Sequence, residues 1–203
     1  MPKIRLTKNE LKKNKDALKR FYRYLPMLQL KKKQLQLEII KIYQVIQAEA
    51  AATDKLRREI TLWVDVFAED VFIEDFISLK SINIDEGNIA GVDIPVFSGI
   101  DFTQKDYDFM VMPLWVDRAI ESVKQMLTQK AKLSVLHRQL DILKEELRIA
   151  TQRVNLFEKI KIPEAKENSR VIQIFLGELQ TAEVVRGKIA KAKIERRKQT
   201  VEI

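Results

Sequence analysis

The chain has no cysteine, one histidine, five glycines and five prolines in 203 residues, and 7% of its residues are aromatic. Without cysteine, a disulfide scaffold, a thiolate metal site and a cysteine nucleophile are all excluded. The lone histidine, His137, has no second His or Cys to complete a metal site or a dyad. It falls just outside a seam of Leu133, Leu136 and Leu140, which reads as a helix surface. Gly87, Gly91 and Gly99 are too widely spaced for a phosphate-cradling loop, and neither Lys-Ser nor Lys-Thr follows them. No uncharged run of about 18 apolar residues occurs, and the Lys-rich start has no apolar core of a signal, so neither membrane insertion nor export is expected. The expectation is a soluble cytoplasmic protein with no catalytic residue, no cofactor and no metal.

What is abundant is charge and helix-forming sequence. Charged residues make up 33% of the chain, with 37 Lys and Arg against 29 Asp and Glu. Residues 1–68 hold 16 basic and seven acidic residues, residues 69–112 two and ten, and residues 113–203 nineteen and twelve. Three segments follow: an N-terminal long helix (1–68), an acidic middle segment (69–112) and a C-terminal long helix (113–203). A basic balance raises nucleic acid as a partner through counterion release, but a charge-rich helix is in the first place a solvated face, so no nucleic-acid site is assigned.

Residues 6–68 carry a 3-4 repeat: Leu18, Phe21, Leu25, Leu28, Lys32, Leu35, Ile39, Ile42, Ile46, Glu49, Thr53, Leu56, Ile60, Trp63 and Phe67. Twelve of these fifteen are apolar. A seven-residue repeat this long predicts a left-handed coiled coil. Pro26 removes a backbone donor, so a bend or irregularity is expected over residues 22–25. From Pro113 onward, Val116, Ile120, Val123 and Leu127 open one stripe, and Leu133, Leu136, Leu140, Leu143, Leu147, Ala150, Val154 and Phe157 form another after a slip of phase. Ile172, Phe175, Leu179, Ala182, Arg186 and Ile189 make a third beyond Pro163, where a second bend is expected. Val171, Ile174, Val184 and Val185 lie beside that stripe, and either pack on the first helix or the middle segment or await a partner.

The middle segment breaks the helical pattern. Residues 69–79 fit a short helix. Residues 81–97 read as a β-hairpin, with Ile82 and Ile84 on one strand, turn chemistry at Asp85, Glu86, Gly87 and Asn88, and Ile89, Val92, Ile94 and Val96 beyond. Gly91 suggests a bulge, Pro95 confines its strand to an edge, and residues 99–108 suggest a loop or short helix. The fold class is mainly α: two long terminal helices paired antiparallel as a coiled coil, around a small insertion with a β-hairpin and short helices. Both termini are basic, so Lys8, Lys12, Lys191, Lys193, Arg196 and Arg197 are expected to make a positive tip.

With that architecture in place, certain residues resemble a known family. Arg153, Val154, Asn155, Leu156, Phe157 and Glu158, then Ile162 and Pro163, then residues 172–179 and a Lys-rich end, are similar to the C-terminal region of the D subunit of V-type ATPases and ATP synthases. Leu6, Thr7, Lys8 and Leu11, followed by Leu28, Leu30, Lys31, Lys32, Lys33 and Leu35, resemble the family's opening helix. Residues 91–95 resemble the segment after its hairpin. Leu25 with Pro26, and Gln34 with Gln36, depart from the commoner pattern and resemble the bacterial branch.

The resemblance implies a central-stalk rotor shaft, non-catalytic itself, that couples ATP hydrolysis or synthesis to H⁺ or Na⁺ transport. It implies as partners the catalytic A and B subunits at the basic tip, with the F subunit and the membrane-ring docking protein, the C subunit, elsewhere. Ile84, Ile89, Arg153, Asn155 and Glu158 are the candidate contacts for F or the base. A peripheral position at the inner membrane follows. A prefoldin-like coiled-coil chaperone is the alternative from a different class, although its helices are shorter and it lacks so long a third stripe.

The isolated chain is expected neither to bind nor to hydrolyse ATP. Turnover by a purified sample at a rate that tracks a mutation in this chain would overturn that expectation.

Overall fold

The computed structural model describes residues 5–63, 73, 76–105, 112, 113 and 115–201. Its elements are α1 (Lys8–Thr61), β1 (Ile77–Ile89), β2 (Val92–Gln104), α2 (Trp115–Asn155), a π-helical turn (Leu156–Lys161) and α3 (Ile162–Val201). Long N- and C-terminal helices thus flank one two-stranded antiparallel hairpin, as expected. Thr7 starts α1 by accepting the Glu10 amide hydrogen on its hydroxyl, at 3.3 Å, which satisfies one of the free first-turn donors. α1 is helical through Pro26, whose expected irregularity does not interrupt it. Of the short helix expected over 69–79, Ile77, Ser78 and Leu79 instead open β1 and Ile73 forms a 3₁₀ turn, while residues 69–72, 74 and 75 lie outside the described residues. Phe67 of the seam also lies outside them.

Two compact units divide the chain, one of Lys31–Ala150 and one of Met1–Leu30 with Thr151–Ile203. In the first, Leu35, Ile39, Ile42 and Ile46 of α1 are buried against Leu140, Leu143 and Ala150 of α2. Arg118 lies over the Trp63 ring, Lys132 pairs with Glu49, and Lys144 lies over the Tyr43 ring. The α2 member climbs as the α1 member falls, so the two helices run antiparallel. Glu49 is one of three polar positions in the seam, with Lys32 and Thr53, and its partner Lys132 satisfies it there. Such a pair selects register more than it stabilises.

The hairpin is longer than the sequence suggested, and its turn is elsewhere. Ala90 and Gly91 form the two-residue connection with φ of 53° and 73°, the positive values that a twist-matched tight turn needs. Asp85, Glu86, Gly87 and Asn88 lie within β1, and residues 99–104 continue β2. Gly87 has a different reason to be glycine: a Cβ there would meet Val96 Cγ2 at 2.6 Å across the ladder. Pro95 is tolerated because each strand of a two-stranded sheet is an edge.

Two irregularities decide what the hairpin covers. The pairing skips Lys80 on β1 and Ser98 on β2. An extra residue reverses the alternation of faces along its own strand. Ile77, twelve residues from Ile89, therefore faces the opposite way, and so does Phe102 relative to Val92. At the base, Ile77 and Phe102 pack with Val116 and Ile120 of α2. At the turn end, Val92 and Ile94 pack with the α1 and α2 core. Because the two extra residues are on opposite strands, the register is the same at both ends. Gln139, itself buried, donates to the Pro95 carbonyl at 2.5 Å and fastens β2 to α2.

In the second unit, Phe21 and Phe157 meet with ring centroids 5.2 Å apart, and Lys166 lies over the Tyr22 ring. The buried stripe of the C-terminal arm runs Val154, Ile162, Ala165, Ser169 and Ile172, with Phe157 half-buried among them. From Phe157 to Ile162 the step is five residues, one more than an α-helix allows. The π-turn absorbs that excess, the Ile162 amide donating to the Phe157 carbonyl rather than to the next one along. Pro163 then has no amide to donate back into the turn. The irregularity expected at Pro163 is therefore present, as a widened turn just before it.

Replacing Leu143, which has no exposed surface, by Ala is expected to cost about 2–5 kcal/mol. Leu37→Ala, at 60% exposure, should cost about 0.5 kcal/mol or less. Urea unfolding followed by circular dichroism separates the two as a shift of midpoint at similar slope.

Candidate partner-binding surfaces

Charge segregates by structural unit. Met1–Leu30 with Thr151–Ile203 holds 21 basic and nine acidic residues, and Lys31–Ala150 holds 16 and 20. The first unit is a cationic surface and the second a mildly anionic one.

Lys8, Lys12, Lys191, Lys193, Arg196 and Arg197 are all exposed. The antiparallel pairing does not bring them level. Counting back from Tyr22, α1 starts at Lys8 after fourteen residues, while from Lys166 α3 continues for thirty-five to Val201. The α3 cations therefore lie on the order of 20 Å beyond the start of α1 at about 1.5 Å per residue. Every residue from 183 to 197 is exposed, including Val184, Val185, Ile189 and Ile194. Packing on α1 or the hairpin does not cover Val184 and Val185, at 58% and 49% exposure. Lys191 approaches Glu195 at 4.0 Å, an exposed pair of little energetic weight.

The remaining candidates separate in environment. Ile84 is exposed, in line with Leu79 and Ile82 on one face of the hairpin, whereas Ile89 is half-buried against the core that Val92 and Ile94 join. Arg153, Asn155 and Glu158 are exposed. Asn155 ends α2, and Glu158 lies in the π-turn.

Pocket chemistry is thin. An apolar hollow of about 500 Å³ opens between α1 and α2, lined by Lys33, Gln36, Leu37, Ile39, Ile40 and Leu147. A more polar one brings Asp93, Asp141, Glu145 and Glu146 to one rim. Arg148 donates to Glu145 at 2.9 and 2.6 Å and holds its carboxyl below the usual range, the opposite of what a general acid needs. His137 is exposed on α2. Among the described residues no group of three or more His, Asp or Glu is placed to hold a metal, and no helix is long and apolar enough to cross a membrane.

Sequence reasoning missed Ile162, Ala165 and Ser169, the buried residues between its second and third stripes. The five-residue step after Phe157 was the available signal. It also missed the outward stripe of Leu30, Leu37 and Ile40 on α1, which repeats at coiled-coil spacing beside the seam.

Fold and surfaces together define a class: a helical coiled-coil protein whose distinctive features are partner-facing surfaces. The sequence matches the family described as the D subunit of ATP synthase over residues 10–192. It is 47% identical over 194 residues to the V-type ATP synthase D subunit of Borreliella burgdorferi, covering 96% of each chain. To the V-type ATP synthase D subunit of Chlamydia felis it is 33% identical over 202 residues, covering 98% of this chain and 97% of the relative. The chain belongs to the family of ATP synthase D subunits.

Proposed function

We propose that the chain is the central-stalk rotor of a V-type ATP synthase, non-catalytic itself, on the cytoplasmic side and peripheral to the inner membrane. It couples ATP hydrolysis or synthesis in a hexamer of A and B subunits to transport of H⁺ or Na⁺. The observation that carries this reading is the overhang of α3. A single helix of some fifteen residues is marginal in water, because nucleation is costly and propagation barely favourable. This one also exposes four aliphatic side chains along with Lys191, Lys193, Arg196 and Arg197. A surrounding surface that is apolar within and acidic at its rim complements both.

On this reading Lys8, Lys12, Lys191, Lys193, Arg196 and Arg197 face the A and B subunits. Ile84, Ile89, Arg153, Asn155 and Glu158 serve the F subunit or the docking protein, the C subunit, and Ile89 does so by holding the hairpin in place. No bond is made or broken on the chain. Turning α3 presents different side chains to each surrounding interface, so the free energies of those interfaces depend on angle, and nucleotide state and angle become coupled. Exposed, individually weak ion pairs suit a surface that must slide.

The direct test is co-purification: tagged chain expressed with the complex should recover A, B and F, and recovery of none of them would sink the proposal. Replacing Lys191, Lys193, Arg196 and Arg197 together by Ala should weaken assembly more at low salt than at high, since the lost contacts are screened. A salt-independent loss would count against the electrostatic part. Ile84→Asp, at an exposed position, should lower recovery of F or C while leaving helicity by circular dichroism unchanged; retention of both would move their contact elsewhere.

A further inference from the structure

Of the π-helical turn, Phe157 is half-buried against Phe21 and the other five residues are exposed. None of its residues is buried. Shortening it by one residue would return the step from Phe157 to the next seam residue from five to four. A regular α-helix could then run through with the same stripe facing α1, and the weaker hydrogen bonding of a π-turn would be avoided. Pro163 adds to the deficit, because a carbonyl at Glu158 or Lys159 has no amide donor four or five residues on. The extra residue that widens the helix beyond Phe157 buries nothing itself, so its explanation lies on the outer surface.

There the turn presents a distinct set of groups. Leu156 and Ile160, four residues apart, are 42% and 53% exposed. The side chains of Arg153, Asn155, Glu158 and Lys159 stand exposed around them, whereas Lys161 is held by Glu164 at 3.2 Å. Two of these four are cations against one carboxylate, within a unit of 21 basic and nine acidic residues.

We propose that the turn at Leu156–Lys161 is a recognition element for a partner protein. It takes an apolar side chain between Leu156 and Ile160, flanked by carboxylates that reach Arg153 and Lys159. A hydrogen-bond donor of the same segment meets the open carbonyl. The inference rests on the reading of this chain as one member of a multi-protein assembly, and narrows where and by what chemistry one partner binds.

The test uses the full chain co-expressed with the A, B, F and C subunits. Deleting Ile160 should leave the melting temperature of the isolated chain unchanged or raised, yet weaken retention of one partner at least tenfold. A photo-crosslinking residue at position 160 of the otherwise intact chain should label that same partner, on a peptide containing Asp or Glu. Should the deletion unfold the chain, Ile160→Asp and Ile160→Lys decide the matter at an exposed position: Asp should weaken retention several-fold more than Lys. Wild-type retention by the deletion variant, a crosslink to none of the subunits, or equal effects of Asp and Lys would overturn the proposal while the rotor reading stands. Failure of the unmodified chain to recover any partner would overturn the reading beneath it as well.

Discussion

The antiparallel seam is the constraint on which the rest depends. Every described position of the α1 repeat, from Leu18 to Trp63, is buried or half-buried, and the residues between them are mostly exposed. Two helices bury one stripe each, so within each unit the seam must face its neighbour. Each irregularity in the chain is a way of keeping it facing. Glu49 enters the seam only with Lys132 beside it, and the extra residue after Phe157 is widened out as a π-turn rather than allowed to swing the stripe into water.

The hairpin solves a related problem with the period of a strand in place of that of a helix. A flat two-stranded ribbon can bury one face, and the other is then wasted. The skipped residues at Lys80 and Ser98 let opposite faces be buried at opposite ends, each against α2, while the ends stay in register. Between them remain Leu79, Ile82 and Ile84, exposed on one face, and a polar face where Ser81 and Asn83 donate to Asp101 at 3.1 and 3.2 Å. The hairpin is thus fastened at both ends and free in the middle.

Long-range periodicity was legible in the sequence, and local punctuation was not. The two stripes named seam residues on both arms because a 3-4 repeat sustained over many turns has few competing readings. Asp85, Glu86, Gly87 and Asn88 looked like a turn because their composition is that of turns, but the turn fell at Ala90 and Gly91. Cross-strand packing, which determines that Gly87 must lack a Cβ, is invisible along one strand. The candidate contacts fared likewise. Exposure separates Ile84 from Ile89 because an odd spacing of five in an unbroken stretch of strand puts them on opposite faces, and composition does not say which of those faces the core covers.

The proposed rotor role places the function of this chain on its outside. A catalytic group needs a desolvated, concave setting to shift its protonation, and two helices with a ribbon enclose little such space. Where the seam has a neighbour, several outward charges are paired within their own helix, as at Arg148 with Glu145 and Arg170 with Glu167, beside an apolar stripe of Leu30, Leu37 and Ile40 on α1. Where the neighbour ends, beyond about residue 182, apolar and cationic side chains stand exposed together. Water solvates the paired charges without cost and the surface beyond residue 182 only at the expense of exposed aliphatic area. On the proposed reading, this change of surface along α3 is where the surrounding A and B subunits replace α1 as its neighbour.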